Sequence, residues 1–312
     1  MIDKLEYLIM LSHERHFGRA ADKLGITQPT LSAGIRHLEE RLGVTLVNRG
    51  SRYKGMTSEG DRVLAWARKI TDDVRTMREE VRSVRRGLTG HLRIGAIPTA
   101  LSLVARLTTP FRERHADVTF DVTSMSSVDL LAAVEDFEVD VGLTYLEDDR
   151  LRRIDCKPLY DERYSLVTTV GSPLSERQEV TWEEASRVPL CLLSHTMQNR
   201  QILNRHLGVK DGTFETVLES NSMLAILSQV RMAGLATIMP HHATVMLGLA
   251  PPMVSIPLVK PSVSYPIGLV TARRDLRPPI VAAFWSEAGA GLDDITELGD
   301  IPVAAPAIRP GP

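Results

Sequence analysis

Residues 20–32 of the chain read AADKLGITQPTLS, and this stretch decides the fold of its front end. The small and apolar residues before Gly25 predict a short helix that a second helix can approach closely. Gly25 can adopt a positive φ and end that helix, and Thr27 is a good N-cap for another helix with Pro29 in its first turn. The apolar face of this last helix continues to Leu42. Two helices joined by a tight glycine turn are typical of a helix-turn-helix, although an ordinary helical hairpin within a core has the same pattern.

The residues around this motif predict a complete DNA-binding head. An amphipathic helix covers residues 5–11, and a β-prone run over 44–47 is followed by a basic, glycine-bounded turn over 49–55. This indicates a hairpin wing whose cations can reach backbone phosphates, while the second helix of the motif places its N-terminus in the major groove. The predicted DNA contacts are Thr27, Gln28, Pro29, Thr30, Ser32 and Arg36 on the helix, and Arg49, Arg52 and Lys54 on the wing.

The composition is compatible with this prediction. The chain has 312 residues, 43% of them hydrophobic and 24% charged, which suits two globular domains. Residues 1–90 carry a net charge of +5 and residues 91–312 a net charge of −7, so a polyanion partner is expected for the front only. The N-terminus has no secretory signal, and Cys156 and Cys191 are too few for a disulfide framework, so we expect a cytoplasmic protein without a membrane partner.

A long helix without proline is predicted over residues 59–88. Its apolar residues alternate in steps of four and three, which is a heptad seam, and its other faces are charged. The narrow seam favours a two-stranded partner over packing within its own domain, and a dimer would let two heads read two half-sites. The predicted dimerisation residues are Val63, Ala67, Ile70, Val74, Met77, Val81, Val84 and Leu88.

The rear of the chain predicts two α/β lobes. A β-α-β-α-β order over residues 92–143 indicates a largely parallel sheet, and a strand at 267–270 with a helix at 279–287 returns to that lobe. Two crossings of the chain leave a cleft between the lobes, which ligands prefer. The predicted boundaries are 1–58 for the head, 59–89 for the linker helix, 90–163 with 267–290 for the first lobe, 164–266 for the second lobe, and 291–312 for a flexible tail.

Polar residues follow several of the predicted strands and precede helices. Free N–H groups at helix starts attract anions, and hydroxyl groups there either cap the helix or contact a ligand. Capping is the simpler interpretation for each residue alone, but several such residues beside one cleft favour a small anionic or polar effector. The predicted effector-binding residues are Pro98, Thr99, Ser126, Ser127, Tyr145, His195, Thr196 and Asn221.

The motif of the head resembles the LysR-type transcriptional regulators. The likeness rests on residues 20–32, on Ile35, Leu38, Glu39, residues 42–44, Leu46 and Arg49, and on residues 57–60. In the rear half, residues 90–95, 140–142 and 233–240 resemble the family's effector domain, which looks like periplasmic binding proteins. Four short segments, at 98–99, 125–126, 192–194 and 219–222, are similar to the cyanate-responsive type within the family. Ala33, Gly34 and Val47 depart from the family's pattern, where Arg, Gln and Phe are usual.

The resemblance implies an α+β multidomain protein with an N-terminal winged helix-turn-helix, a long coiled-coil linker helix and a C-terminal two-lobed effector domain. It implies double-stranded promoter DNA, a small-molecule effector, a homodimer or homotetramer and RNA polymerase as partners, with no cofactor. The alternative is a cytoplasmic solute-binding module with a helical dimerisation head and no DNA role.

An enzyme is not supported by any catalytic motif. A phosphate-binding glycine loop and a nucleophile elbow are both missing from the sequence. His241 and His242 lack partners at metal-ligand spacing, so we expect them at the surface or in a helix cap, and we expect Cys191 to be buried and inert. The sequence leaves open the effector, the operator, activation against repression, and dimer against tetramer.

Overall fold

The computed structural model describes residues 1–49, 53–208 and 214–289, except for the side chains of Arg49 and residues 84–86. The chain forms two compact units, one built on residues 1–89 and the other on most of the rest. Within the part of the chain that is described, no helix combines the length and the apolar character needed to cross a membrane.

The first unit is a winged helix-turn-helix followed by a long helix, as predicted. Leu31 and Ile35 are fully buried in the core of the head, whereas Leu42 is 44% exposed, so the buried face of the third helix ends one turn earlier than the spacing predicts. Its elements are α1 (Ile2–Glu14), α2 (Phe17–Leu24), α3 (Gln28–Leu42), β1 (Val47–Arg49), β2 (Tyr53–Met56) and α4 (Ser58–Arg86).

The turn between α2 and α3 has the predicted chemistry. Gly25 lies at φ +66°, in the left-handed region, and its N–H donates back to the carbonyl oxygens of Ala21 and Asp22. Thr27 caps α3, because its Oγ1 accepts a hydrogen bond from the Thr30 N–H at 3.3 Å. Local residue types therefore place the start of α3.

Two of the three departures from the family pattern are explained by packing within the head. A Cβ at Gly34 would lie 2.7 Å from Cδ2 of Tyr7, so glycine lets α1 and α3 approach closely. Val47 is fully buried at the start of the wing, while Ala33 is exposed on α3. Position 33 is thus the one of the three that faces outward.

The beginning of α4 belongs to the head. Leu64 and Ala67 are part of its buried core, and Ala67 is 0% exposed. The prediction that Ala67 lies in a dimerisation seam is therefore wrong, since helical spacing alone does not show which turn still packs on its own domain. Trp66, which the prediction omitted, is 64% exposed, and the ammonium of Lys69 lies 5.7 Å from the centre of its ring.

Beyond this point α4 carries an exposed apolar stripe. Ile70, Met77 and Val81 are 39%, 57% and 61% exposed, and Val74 is half-buried. Val63 packs partly on the head, Leu88 is half-buried, and the side chain of Val84 lies outside the described residues. An exposed apolar stripe on a charged helix is compatible with the predicted pairing, which stays a prediction.

The described strands of the second unit form a five-stranded sheet, a four-stranded sheet and a two-stranded parallel pair. Its elements are β3 (Gly90–Ala96), α5 (Leu101–Arg114), β4 (Val118–Ser124), α6 (Ser127–Glu135), β5 (Val141–Tyr145), β6 (Ile154–Glu162), β7 (Tyr164–Thr169), β8 (Val180–Thr181), α7 (Trp182–Ala185), β9 (Leu190–Leu193), α8 (Gln198–His206), β10 (Thr216–Ser220), α9 (Met223–Ala233), β11 (Thr237–Pro240), α10 (His241–Met246), β12 (Met253–Val259), β13 (Tyr265–Ala272) and α11 (Pro279–Glu287).

The first lobe is a five-stranded sheet in the order β4-β3-β5-β13-β6. Strands β4, β3 and β5 are parallel, as predicted, but β13 runs antiparallel between β5 and β6, so the sheet is mixed. The predicted return of the chain to this lobe is confirmed, because β13 pairs with both β5 and β6 and α11 covers the predicted residues. Phe284 of α11 packs edge-to-face on Phe111 of α5, with ring centres 5.2 Å apart.

The second lobe has the strand order β11-β7-β12-β8, and a parallel pair, β9 and β10, adjoins β11. The junction is a hydrogen bond from the Cys191 N–H to the carbonyl oxygen of Ala236 at 2.7 Å. Residue Arg163 alone separates β6 of the first lobe from β7 of the second. Glu162 and Tyr164 therefore flank the point where the chain crosses between the lobes.

Candidate DNA interface and effector site

The start of α3 presents the predicted recognition residues to solvent. Thr27, Gln28, Pro29, Thr30 and Arg36 are exposed. The hydroxyl groups of Thr27 and Thr30 lie 2.8 Å apart, so both are already engaged with each other in the cap. Ser32 is half-buried. This exposed polar helix start has the shape that a major groove accepts, and the base contacts stay a prediction.

The wing is a two-stranded antiparallel hairpin in which Arg49 faces Tyr53. Lys54 is exposed, as a phosphate contact requires. Arg52 and the side chain of Arg49, two other predicted wing contacts, lie outside the described residues.

A carboxylate joins the wing to the recognition helix. Oε1 of Glu39 on α3 accepts hydrogen bonds from the N–H groups of Leu46 and Val47, at 2.9 and 3.2 Å. Sequence reasoning identified Glu39 only as part of the family motif. The contact fixes the position of the wing relative to α3, and two backbone donors are the kind of group that an ionised carboxylate accepts well.

Several of the predicted effector residues have structural partners instead. Ser126 caps α6, because its Oγ accepts from the Asp129 N–H at 3.2 Å and donates to the Asp129 carboxylate at 2.6 Å. Ser127 is 3% exposed, and its Oγ accepts from the Thr144 hydroxyl at 3.3 Å. Pro98 is buried in the turn before α5. Capping or packing accounts for these residues without a ligand.

Three others follow the carboxyl ends of strands β9 and β10, where they are exposed. The ring of His195 is 79% exposed and lies 3.6 Å from the Glu219 carboxylate, and Thr196 and Asn221 are also exposed. Asn221 precedes Ser222, whose side chain caps α9. By contrast, Thr99 and Tyr145 are 2% and 1% exposed. Of the eight predicted residues, four are therefore buried, three are exposed and Ser126 is half-buried.

Thr99 and Tyr145 belong to a buried polar group that we call the Glu162 cluster; its members are Thr99, Tyr145, Glu162, Tyr164 and Asn199. The hydroxyl of Tyr145 donates to Oε1 of Glu162 at 2.5 Å and lies 3.3 Å from the hydroxyl of Tyr164. Asn199 Nδ2 donates to the oxygen of Tyr145 at 3.2 Å. The exposure of the five residues ranges from 0% to 3%.

The cluster is assembled from both lobes. Tyr145 ends β5 and Glu162 ends β6 in the first lobe, whereas Tyr164 opens β7 and Asn199 lies in the first turn of α8 in the second. Sequence reasoning missed Glu162, Tyr164 and Asn199. A signal existed, since Glu162 shares the inward side of β6 with Tyr160, where a charged residue is unusual.

The electrostatics of the cluster follow from burial. Burial raises the pKa of Glu162 to about 7, although the hydrogen bond from Tyr145 and the nearby hydroxyl groups of Tyr164 and Thr99 oppose the shift. Burial and the neighbouring carboxyl group of Glu162 raise the pKa values of Tyr145 and Tyr164 well above their ordinary range. Both phenols are therefore neutral hydrogen-bond donors at neutral pH.

Some polar atoms of the cluster have no hydrogen-bond partner within 3.5 Å. They are Oε2 of Glu162, Oδ1 of Asn199 and Oγ1 of Thr99. Oε1 of Gln198, directly before Asn199, and Oγ of Ser102, three positions after Thr99, are also without a partner. Buried polar atoms in folded proteins are bonded in the great majority of cases. Several unpartnered atoms in one region mark a place where a polar molecule can bind.

Two buried histidines lie on α10. The Tyr160 hydroxyl is 3.2 Å from Nε2 of His242, and Nδ1 of His241 is 2.8 Å from the Ser165 hydroxyl. Both are about 5% exposed, so the expected surface position is wrong, and neither ring caps α10, whose N-cap is Pro240 and whose start has no side-chain cap hydrogen bond. Burial lowers the pKa of His242 to about 4. In the described part of the chain, no group of three His, Cys, Asp or Glu residues could hold a metal ion.

The two cysteines are free thiols in different strands. Cys156 is exposed on β6 and Cys191 is buried on β9, as expected. Burial raises the pKa of both thiols. Reactive cysteines have lowered pKa values, so the direction of both shifts disfavours the thiolate.

Comparisons with known proteins cover both units. A family model described as the bacterial regulatory helix-turn-helix protein, lysR family, matches residues 2–61, and the model of the LysR substrate binding domain matches residues 85–293. A hydrogen peroxide-inducible genes activator of Haemophilus influenzae is 26% identical over 305 residues, covering 96% of this chain and 98% of the relative. The Escherichia coli K12 DNA-binding transcriptional dual regulator OxyR is 28% identical over 273 residues, covering 86% and 88%.

Solved structures show the same fold. A full-length OxyR variant from Pseudomonas aeruginosa matches with a TM-score of 0.74 at 22% identity, covering 93% of this chain and 97% of that one. The regulator CbnR in complex with its target DNA matches with a TM-score of 0.64 at 22% identity, covering 92% and 98%. The likeness to the cyanate-responsive type finds no support among these relatives.

Proposed function

This chain belongs to the LysR family and is a DNA-binding transcriptional regulator with an effector-binding domain; on that basis we propose that its effector binds at the Glu162 cluster, between the two lobes. The observation that carries this proposal is the set of unpartnered polar atoms of Glu162, Asn199 and Thr99 at the point where the chain crosses between the lobes. The alternative without a DNA role is not favoured, because the lysR family model covers the whole head.

A ligand in the cluster would contact both lobes at once. Oε2 of Glu162 lies in the first lobe and Oδ1 of Asn199 in the second, and both residues bond to Tyr145. A molecule bonded to both atoms would favour one arrangement of the lobes. A ligand can switch the protein only if its affinity differs between two arrangements, and contacts from both lobes supply such a difference.

Regulators of this family bind promoter DNA and oligomerise, and we assign these roles to particular surfaces here. The start of α3 and the wing read the operator, and the exposed stripe of α4 pairs two heads in a homodimer or a homotetramer. The effector changes the spacing of the paired heads, and RNA polymerase responds to the altered DNA complex.

The effector acts without a cysteine switch. The Haemophilus influenzae relative reported above is named for induction by hydrogen peroxide, but Cys156 and Cys191 have raised thiol pKa values, in an environment that disfavours the reactive thiolate. Peroxide is therefore expected to leave the DNA footprint of this protein unchanged. A footprint that changes with peroxide and reverts with a thiol reductant would contradict this part of the proposal.

The experiment that tests the proposed function is a DNase footprint of the purified full-length protein on the DNA upstream of its own gene. It is run across a salt series and with small molecules suggested by the neighbouring genes. We expect protection with partial two-fold symmetry, and an effector that changes the protected pattern.

The test variant is Tyr145→Phe, which removes the hydroxyl that joins the two lobes. The control variant is Ser126→Ala, which removes the side-chain cap of α6. Tyr145→Phe should keep the footprint and lose the effector response, while Ser126→Ala should keep both. An effector response that survives Tyr145→Phe and Asn199→Ala would place the effector elsewhere.

A further inference from the structure

The proton of Tyr145 determines the hydrogen-bonding direction of the whole cluster. A phenol has one proton, and the Tyr145 hydroxyl donates it to Oε1 of Glu162 at 2.5 Å. The oxygen of Tyr145 is then an acceptor, so the amide of Asn199 must point its NH₂ group toward it, at 3.2 Å. This orientation leaves Oδ1 of Asn199 as a buried acceptor without a partner.

The atoms that remain for a ligand are mainly acceptors. Oε2 of Glu162 and Oδ1 of Asn199 can only accept while the carboxylate is ionised, and the Thr99 hydroxyl can either accept or donate. A ligand with N–H groups would satisfy both oxygens. A carboxylate or phosphate would bring further acceptors and a like charge next to Glu162.

The described neighbours of Glu162 do not supply a positive charge to pair with its ionised carboxylate. Its pKa is set by burial and by three hydroxyl groups, and no charged side chain of the described residues is among the causes. The guanidinium of Arg200, next to Asn199 in the chain, is bound elsewhere: it donates to the Glu219 carboxylate at 2.9 Å and to the carbonyl oxygen of Leu193 at 3.1 Å. A cationic ligand would supply a complementary charge that neither Arg200 nor the groups that set the pKa of Glu162 supply.

We propose that the Glu162 cluster binds the cationic nitrogen of a small amine effector, an ammonium or guanidinium group that donates to Oε2 of Glu162 and Oδ1 of Asn199. This inference rests on the proposed function, because it specifies the ligand class of that same site. It replaces the sequence-based expectation of an anionic or polar effector with a cationic one. Such a ligand would pair an otherwise unpaired buried carboxylate and bridge the two lobes.

Proton release should accompany binding. Glu162, with a pKa of about 7, is roughly half protonated at pH 7, and a bound cation favours its ionised form. The neighbouring titratable groups do not change their protonation state near pH 7. The phenols of Tyr145, Tyr160 and Tyr164 stay neutral, and His242, with a pKa of about 4, is neutral as well. The ring of His241 is bonded to Ser165. Amine binding at pH 7 should therefore release about half a proton.

The test is titration calorimetry of the full-length protein with butylamine, butan-1-ol and butyrate, which share one carbon skeleton. Each titration is repeated in buffers of different ionisation enthalpy to count the released protons. We expect butylamine to bind with proton release, and Glu162→Gln to weaken it about tenfold or more. The matched control, Glu183→Gln, removes an exposed carboxylate that pairs with Arg187 and should leave binding unchanged.

A second pair of variants tests the cluster without any ligand. Asn199→Lys supplies a tethered ammonium and Asn199→Glu a tethered carboxylate at the same position. At pH 8 the lysine variant should have the higher Tm, and this advantage should disappear when Glu162→Gln is added. Equal Tm values of the two variants at pH 8 would contradict a preference for cations.

The outcomes separate this inference from the proposed function. Butyrate or butan-1-ol binding as well as butylamine, with dependence on Asn199, would keep the site between the lobes and overturn the cationic class. Absence of any binding that responds to Glu162→Gln or Asn199→Ala, together with an effector response that persists in both variants, would overturn both.

Discussion

The start of α3 and the Glu162 cluster are both polar, but they are built in opposite ways. The recognition residues come from one continuous segment, 27–36, and most of them are exposed. The cluster takes its five residues from separate segments of two lobes, and none of them is more than 3% exposed. A surface site should therefore tolerate substitution without loss of stability, whereas a buried site should couple ligand binding, pH and stability.

The largest effect is expected where a surface assignment and a buried one lie side by side on α4. Ala67→Asp places a charge in the core of the head and should destabilise it by about 4 kcal/mol or more. Ile70→Asp, at a position 39% exposed, should keep the Tm and reduce oligomerisation. Thermal unfolding and sedimentation of the full-length variants measure both, and an Ile70→Asp protein that sediments like the wild type would remove the stripe as the pairing surface.

The second prediction concerns the pH dependence of the cluster. Because the pKa of Glu162 rises to about 7 in the folded protein, the folded state binds more protons than the unfolded state, and the carboxyl's contribution to stability falls as pH rises from about 4.5 through 7. Glu162→Gln removes this loss, so its stability relative to wild type should increase by roughly 3 kcal/mol between pH 4.5 and pH 8.

The stability of Glu162→Gln is compared with that of the wild type because a second buried group, His242, also makes stability depend on pH. The pKa of His242 is lowered to about 4, so its contribution to stability is lost as pH falls from about 6.5 through 4, which is the opposite slope in an overlapping window. The His242 contribution is present in both proteins and cancels. A stability difference that does not change with pH would show that Glu162 titrates normally.

The third prediction tests the exposed site. Gln28→Ala should lower the preference for operator over random DNA by about 10- to 100-fold, with an unchanged Tm, because Gln28 is exposed at the start of α3. Glu40→Ala, exposed later on the same helix, is the matched control and should preserve the preference. Competition binding with operator and random duplexes measures it, and an altered Tm would mean that Gln28 also supports the fold.

The smallest effect is expected at the wing. Lys54→Ala should weaken binding to operator and random DNA alike and reduce the slope of log affinity against log salt by about 1, since a phosphate contact carries no sequence information. Parallel salt series for the variant and the wild type supply the slopes. Equal slopes would show that Lys54 does not contact a DNA phosphate.

The same contrast explains what the sequence could predict. The turn at Gly25, the cap at Thr27 and the bounds of α11 follow from residues close in the chain, and all three agree with the structure. Leu42 and Ala67 were misplaced because helical spacing shows which face is apolar but not where a core ends.

Thr99 and Tyr145 could be found as strand ends. Glu162 gave only the weak signal of a charged residue on the inward side of β6, and Asn199 gave none, because the two residues lie 37 positions apart and are joined only through Tyr145. Of the predicted residues near helix starts, Ser126 acts as a cap, which the sequence cannot distinguish from a ligand contact.

The contact between Glu39 and the wing has a mechanical consequence. Because one carboxylate accepts hydrogen bonds from the N–H groups of Leu46 and Val47, the start of the wing is tied directly to the recognition helix. A rotation of α3 should therefore carry the start of the wing with it. With two heads paired as proposed above, an effector that changes the distance between them should act most strongly on operators whose half-site spacing matches one of the two distances.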